Sequence, residues 1–171
     1  MASLAVTIRS ITPKDSASYH RCLDSVARER KFLGFVEAPP PEGVNEFISS
    51  VILRNGIQLV AVDDAQVVVG WCTVLQHQYE GFRHAGELGM GVHAGFRGKG
   101  IGRRLANEAI CCGWDAGLER IELDVFSSNF PAIRLYETLG FAVEGRKRRA
   151  RKLDGSYDDL LAMAIFSPEH I

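Results

Sequence analysis

A glycine-rich segment constrains this 171-residue chain more than any other feature. Residues 97–102 have the sequence RGKGIG, between an apolar run at residues 87–92 and a helix-like run at residues 103–114. Glycines let backbone N–H groups approach an anion closely, and the N-terminus of a helix adds a favourable dipole. The segment therefore predicts a cradle for a phosphate group, with positive charge supplied by Arg97, Lys99, Arg103 and Arg104.

Three phosphate-binding patterns can be compared with this segment. The P-loop requires Ser or Thr after its Gly-Lys, whereas a glycine follows Lys99. The dinucleotide fingerprint Gly-x-Gly-x-x-Gly fails, because its third glycine would fall on Arg103 or Leu105. A third pattern is Arg or Gln, two residues, Gly, one residue, and Gly or Ala. The segment meets this third pattern, and an ordinary glycine-rich turn before a surface helix is the alternative.

A second signature lies downstream at residues 129–141, with the sequence NFPAIRLYETLGF. It reads Asn, two residues, Ala, two residues, Leu-Tyr, three residues, Gly-Phe. In this order and at this separation, the two signatures resemble those of the GNAT N-acetyltransferase superfamily. The resemblance covers roughly residues 57–166 and is closest to the branch that acetylates phosphinothricin and L-amino acids.

The resemblance implies a fold and an activity. The fold is mixed α+β, with about four helices and a central, mostly antiparallel sheet of six or seven strands, splayed between the fourth and fifth strands. The activity is direct transfer of an acetyl group from acetyl-CoA to a primary amine, such as a free amino acid or a small amine. We expect residues 1–171 to form a single N-acetyltransferase domain.

The resemblance also assigns roles to individual residues. Tyr136 matches the general acid, because a phenol can protonate or stabilise the leaving thiolate, whose thiol has a pKa of about 8.5; a core aromatic is the alternative. Asn129 would contact the cofactor, cap a helix, or do both. The full set expected to bind the cofactor is Met90, Gly91, Val92, Arg97, Gly98, Lys99, Gly100, Ile101, Gly102, Arg103 and Asn129.

The acceptor amine must be neutral to attack the thioester. Deprotonating an α-amino group at pH 7 costs about 1 kcal/mol and a lysine-like amine roughly 4–5 kcal/mol, so a base matters more for the second class. The resemblance offers two candidates, Glu87 on the fourth strand and Asp124 on the fifth. Asp124 stands where protein N-terminal acetyltransferases carry a longer glutamate, so Glu87 ranks first, with an ordinary strand-end charge as its alternative.

The acceptor itself stays open at this point. Acetylation of a protein N-terminus and a non-catalytic acyl-CoA sensor are the alternatives to a small amine. The resemblance puts an acceptor wall at residues 31–41, where Phe35 and Glu37 can contact the acceptor, although Phe32 and Phe35 anchoring the loop to the core is favoured. The basic run at residues 145–152 reads as a solvated hairpin edge, or as a carboxylate-binding patch that disfavours polyamines.

Composition excludes several classes of protein. The net charge of −1 argues against nucleic acid or an anionic membrane as partner, and no apolar run is long enough for a transmembrane helix. The four cysteines show no Cys-x-x-Cys spacing and the histidines no ligand spacing, so no metal is expected. The N-terminus lacks a signal-peptide pattern, so we expect a cytoplasmic protein. The oligomeric state is open, with a homodimer as one option.

Periodicity and capping signals predict the elements of the chain. Strands are expected at residues 6–12, 57–62, 66–76, 87–92, 119–126, 141–149 and 157–166. Helices are expected at residues 13–30, 42–53, 103–114 and 130–139.

Overall fold

A seven-stranded sheet forms the centre of the structure, a computed structural model that describes residues 5–170. The strands are β1 (Thr7–Ser10), β2 (Ile57–Val62), β3 (Val68–Gln76), β4 (Ala85–Val92), β5 (Arg120–Phe126), β6 (Ala142–Leu153) and β7 (Ser156–Phe166). They lie in the order β1-β2-β3-β4-β5-β7-β6. Every neighbouring pair is antiparallel except β4 and β5, which are parallel. The expected mixed fold is confirmed.

Four α-helices cover the sheet: α1 (Ser16–Ala27), α2 (Pro41–Leu53), α3 (Ile101–Asp115) and α4 (Phe130–Thr138). Short 3₁₀ turns lie at Pro13–Asp15, Glu80–Phe82, Ala94–Phe96 and Pro168–His170. All four helices were expected, but α1 is shorter at both ends than its prediction. Its first turn is a 3₁₀ turn, and it ends before Arg30, whose positive φ of 59° cannot continue a helix.

Two apolar clusters lie on opposite faces of the sheet, because side chains alternate along each strand. On one face, Leu105 and Ala109 of α3 and Tyr136 of α4 pack against Leu59 of β2 and Ile121 of β5. On the other face, α1 and α2 cover β2 and β3 around Trp71, which meets Tyr19 edge-on. The two helical layers fix the positions of β3 and β4.

The parallel pairing of β4 and β5 is short. It joins Ala85 to Arg120, Gly86 to Ile121 and Glu87 to Glu122, and then stops. β4 continues to Val92, paired only with β3, while β5 continues to Phe126, paired only with β7. The sheet therefore opens into a gap beyond Glu87, as the resemblance implies.

The hairpin of β6 and β7 is longer than expected. β6 runs to Leu153, so that the basic run lies on the edge strand of the sheet. Its register shifts between Lys147 and Arg151, where Arg149 has a φ of 52° and its N–H donates to Asp159. Bulges and charges of this kind protect an edge strand from pairing with other chains.

Close packing of β4 against β3 predicts the cost of a side chain at Gly91. A Cβ there would lie 2.2 Å from Cη2 of Trp71, whereas a Cβ at Gly89 on the same strand would meet nothing within 4 Å. We expect Gly91→Ala to lower the free energy of unfolding by about 1–3 kcal/mol, because the buried indole must move. Urea denaturation measures the change. Gly89→Ala is the matched control, and equal losses in the two variants would contradict the packing described.

A buried carboxylate near the start of α1 predicts acid sensitivity. Asp15 accepts hydrogen bonds from Arg9 at 2.7 and 2.8 Å and from the N–H of Thr12 at 2.8 Å. The hydrogen bonds from Arg9 are the largest cause that lowers the pKa of Asp15 from 3.8 to about 2. Because the folded-state pKa is depressed, this stabilisation is present above about pH 4 and disappears as pH falls toward 2.

We therefore expect Asp15→Asn to lower the free energy of unfolding by about 1–2 kcal/mol at pH 7, with less effect near pH 2. Unfolding curves of both proteins at several pH values measure the difference. A difference that stays constant down to pH 2 would contradict this assignment.

Candidate functional site

A cavity of about 560 Å³ occupies the gap between β4 and β5, and we call it the gap cavity. The ends of these strands, the start of α3 and one side of α4 form its walls. Ten of the eleven expected cofactor-binding residues line it, together with Tyr136 and Asp124. The ten are Met90, Gly91, Val92, Arg97, Gly98, Gly100, Ile101, Gly102, Arg103 and Asn129.

The glycine-rich segment leads directly into α3. Gly98 and Gly100 have φ angles of 73° and 76°, in the left-handed region that favours glycine. A Cβ at either position would meet nothing within 4 Å, so both glycines border open space. Gly100 is the N-cap of α3 and no side chain caps the helix there. The first N–H groups of a helix have no partner within it, so this end suits an anion.

Arg97 joins the glycine-rich segment to the loop that follows α1. Its guanidinium donates to both carboxylate oxygens of Glu29, at 2.8 and 2.5 Å, and its Nε donates to the carbonyl of Val92. It also lies 4.8 Å from the ring centre of Phe32, which with Leu33 lines the gap cavity. The Arg97 side chain therefore links the end of β4 to the loop that forms this part of the cavity wall.

The structure separates Lys99 from the other expected cofactor residues. Its Nζ donates to the carbonyl of Gly95 at 3.1 Å and lies over the ring of Phe96, and it does not line the gap cavity. Asn129 does line the cavity, and its side chain also accepts a hydrogen bond from the N–H of Ala132. The helix cap considered for Asn129 is thus present, on a residue that also lines the cavity.

Tyr136 on α4 is 7% exposed and lines the gap cavity. Its ring packs against Phe141, with 5.7 Å between ring centres. Within residues 5–170 its hydroxyl makes no hydrogen bond. Burial raises the pKa of Tyr136 above its usual range, so the phenol stays protonated near neutral pH. A buried, protonated phenol facing a cavity can donate a hydrogen bond to a group that enters it.

The two carboxylates considered as bases differ in their partners. Asp124 lines the gap cavity and pairs with Nζ of Lys147 at 2.5 Å. Glu87 is the last residue of the β4–β5 pairing, and its carboxylate forms no ion pair or hydrogen bond with any described residue. Both line a second pocket of about 320 Å³, the acidic pocket, on the sheet face not occupied by α3 and α4. Asp124 thus connects the two cavities.

Three further carboxylate contacts surround the acidic pocket. Arg120 donates to Glu122 at 2.8 Å and to both oxygens of Glu144, and His77 lies 2.9 Å from Glu122. Burial raises the pKa of Glu122, but hydrogen bonds from Arg120 and His77 outweigh it and leave that pKa lowered. Arg120 also lowers the pKa of Glu144. The carboxylates of Glu122 and Glu144 are therefore charged at neutral pH.

Only part of the loop at residues 31–41, where the resemblance puts an acceptor wall, lines the gap cavity. Phe32 and Leu33 line the gap cavity and pack against the Trp71 cluster, so the anchoring expected of Phe32 is present. Phe35 is 41% exposed and Glu37 lies 3.6 Å from Arg28, and neither lines the gap cavity. In the sequence, the adjacent apolar residues Phe32 and Leu33 are the feature that could have indicated this part of the cavity wall.

Comparison with known proteins defines the class of this protein. Residues 20–141 match the acetyltransferase (GNAT) family. The chain therefore belongs to this family of enzymes, whose acetyl donor is acetyl-CoA. The glycine cradle, the uncapped start of α3 and the open gap fit a diphosphate-bearing thioester.

Individual relatives support the expected branch of the family. The L-amino acid N-acetyltransferase AaaT of Escherichia coli K12 is 37% identical over 114 residues, which are 65% of this chain and 69% of that protein. The L-methionine sulfoximine/L-methionine sulfone acetyltransferase of Salmonella typhimurium is 32% identical over 120 residues, covering 67% and 68%.

Solved structures share the fold. A GNAT-family acetyltransferase from Streptococcus pneumoniae superposes with a TM-score of 0.88 at 26% identity, covering 95% of this chain and 100% of that one. A phosphinothricin acetyltransferase from Sinorhizobium meliloti, in complex with acetyl-CoA, has a TM-score of 0.90 at 19% identity, covering 96% and 89%. At that identity the second comparison shows the fold alone.

Neither a membrane-spanning helix nor a metal-binding cluster is found in the described part of the chain. Among residues 5–170, no helix combines the length and apolar character needed to cross a membrane. The same residues hold no cluster of three or more His, Cys, Asp or Glu side chains arranged for a metal ion.

The left-handed N-cap of α3 predicts the effect of Gly100→Ala on cofactor binding. The variant strains the backbone by about 1–2 kcal/mol and distorts the anion cradle, so we expect acetyl-CoA affinity to fall about tenfold or more. Calorimetric titration measures this affinity. Gly117→Ala is the matched control, because Gly117 has a φ of 85° and open space at its Cβ but follows the far end of α3. Equal affinity losses in both variants would contradict the assignment.

Proposed function

We propose that this protein transfers the acetyl group of acetyl-CoA to the primary amine of a free amino acid or a similar small amine. The observation that carries this proposal is the unpaired carboxylate of Glu87 at the closed end of the β4–β5 gap. An ammonium group that enters the acidic pocket meets this charge beside Asp124, which also lines the gap cavity. The names of the two relatives described above, which acetylate L-amino acids and L-methionine sulfoximine or sulfone, support the same substrate class.

Cofactor binding is proposed for the backbone around Gly98 and Gly100 and the start of α3. Bound acetyl-CoA supplies an activated acetyl thioester. The unpaired edge of β4 from Leu88 to Val92 offers backbone N–H groups that can polarise its carbonyl. Arg97 is proposed to act through its bond to Glu29, by holding the cavity wall, and Lys99 by holding the turn at Gly95.

Tyr136 is proposed to assist departure of the thiolate. The pKa of its phenol lies above the pKa of about 8.5 of a thiol, so complete proton transfer to the leaving sulfur is unfavourable. A hydrogen bond from the phenol stabilises the developing negative charge without that cost. Glu87 is proposed to accept the proton of the attacking amine, directly or through one water molecule.

The cell compartment and the domain organisation are also part of the proposal. Cys22 and Cys72 are buried free thiols, and the described residues contain no disulfide, as is usual in a reducing compartment. We propose a cytoplasmic enzyme, with residues 1–171 acting as one domain.

The proposed roles predict two variants that separate chemistry from binding. We expect Tyr136→Phe to lower kcat by about 10²-fold and Glu87→Gln by about 10–10²-fold, because each loses one group used in the reaction. Acetyl-CoA affinity stays within about twofold in both, since neither change touches the phosphate cradle. Thiol release with a panel of amino acids measures kcat, and calorimetry measures affinity.

Three outcomes of these assays, with a peptide library added as substrate, would contradict the proposal. A protein that binds acetyl-CoA without turning over any amine is a sensor. One that acetylates only peptide N-termini in a peptide library is a protein acetyltransferase. An unchanged kcat in Tyr136→Phe removes the role of the phenol.

A further inference from the structure

The side chain of Lys147 crosses one strand to reach the acidic pocket. Lys147 lies on β6, Asp124 lies on β5, and β7 runs between them. Two strand spacings amount to roughly 9–10 Å, so the lysine stem must extend over β7 to place Nζ 2.5 Å from the carboxylate of Asp124. Ala162 of β7, which pairs with Asp124 in the sheet, is small enough to leave room for that stem.

Lys147 is the cation of this pocket that a ligand can release. Its side chain is 60% exposed, and exposed ion pairs contribute little to stability. The hydrogen bond to Asp124 raises the pKa of Lys147, which therefore carries its charge at neutral pH. Arg120, the other cation lining the pocket, is 22% exposed and bound by both Glu122 and Glu144.

The charges facing Lys147 from the neighbouring strands are mostly negative. Glu87 comes from β4, Glu122 and Asp124 from β5, and Glu144 from β6 itself. This surplus of carboxylates attracts an ammonium group. A carboxylate, by contrast, finds a partner here only if a cation becomes free. Release of Lys147 from Asp124 provides that cation.

We propose that Lys147 is the carboxylate-binding residue of the acceptor site, and that a zwitterionic α-amino acid binds by exchanging partners with the Lys147–Asp124 pair. The ammonium group of the amino acid replaces Nζ of Lys147 beside Asp124 and Glu87. The released Nζ then binds the carboxylate of the same amino acid. Two ion pairs replace one, and both charges of the ligand are satisfied.

This inference rests on the proposed function and narrows its substrate class. A polyamine supplies ammonium groups alone, so it displaces Lys147 without giving it a new partner. An α-amide of an amino acid keeps the amine and the side chain but loses the carboxylate charge. The preference for a free amino acid over its α-amide therefore reports on Lys147 directly.

The experiment compares kcat/KM for the best amino acid of the panel with kcat/KM for its α-amide, in the wild-type protein and in variants. Lys147→Met keeps the length of the stem but removes the charge, and we expect it to reduce the preference for the free amino acid about tenfold or more. Lys147→Arg keeps a cation and retains most of the preference. The amino acid and its α-amide have different amine pKa values. This difference affects the wild type and each variant equally, because all of them are compared on the same two compounds.

A second lysine on the same strand provides the matched control. Lys152 lies over the ring of Tyr157, away from the acidic pocket, and Lys152→Met leaves the preference unchanged. An unchanged preference in Lys147→Met, or an equal loss in Lys152→Met, would overturn the inference. Absence of acetylation of every amine by the wild-type protein would instead overturn the proposed function.

Discussion

The short parallel contact between β4 and β5 is the constraint that opens the sheet beyond Glu87. Three residue pairs join the two strands, and then each strand follows a different partner. The helical layers fix the position of β3, to which β4 is paired. The position of β5 is fixed by its antiparallel pairing with β7. Because neither strand can close the gap, backbone N–H groups between Leu88 and Val92 stay available on one edge of β4. We propose this opening in the sheet as the binding site.

The two faces of the gap differ in electrostatic character. On the side of α3 and α4 the walls are largely apolar and include the glycine cradle, the uncapped helix start and Tyr136. On the opposite face, four carboxylates and two cations line the acidic pocket. A neutral thioester end and a charged amine thus meet different surroundings. Asp124 lies at the boundary, since it lines both cavities.

Local motifs in the sequence predicted the parts of the site formed by consecutive residues. The glycine-rich turn before α3 and the cap at Asn129 each depend on a short stretch of chain, so the local motifs, and the resemblance that they carry, indicated them. The mixed sheet was also predicted, with strand ends within a few residues. The first helix was predicted too long, because its start forms a 3₁₀ turn held by Asp15.

Contacts between distant parts of the chain could not be predicted in this way. Arg97 and Glu29 are 68 residues apart, and Lys147 and Asp124 are 23 apart on strands that are not neighbours. The sequence showed Lys147 as one of several charges in a basic run. Register in the β6–β7 hairpin, with its shift after Lys147, decides which of those charges reaches the acidic pocket. Register depends on the packing of the whole sheet, which a local pattern does not contain.

A crystal structure of the protein with bound coenzyme A tests the central part of this account most directly. We expect backbone N–H groups of residues 98–103 to donate hydrogen bonds to the diphosphate, and the pantetheine arm to lie in the gap beside β4. We also expect the sulfur to lie within hydrogen-bonding distance of the Tyr136 hydroxyl. Coenzyme A bound outside the gap, or with its sulfur far from Tyr136, would contradict it.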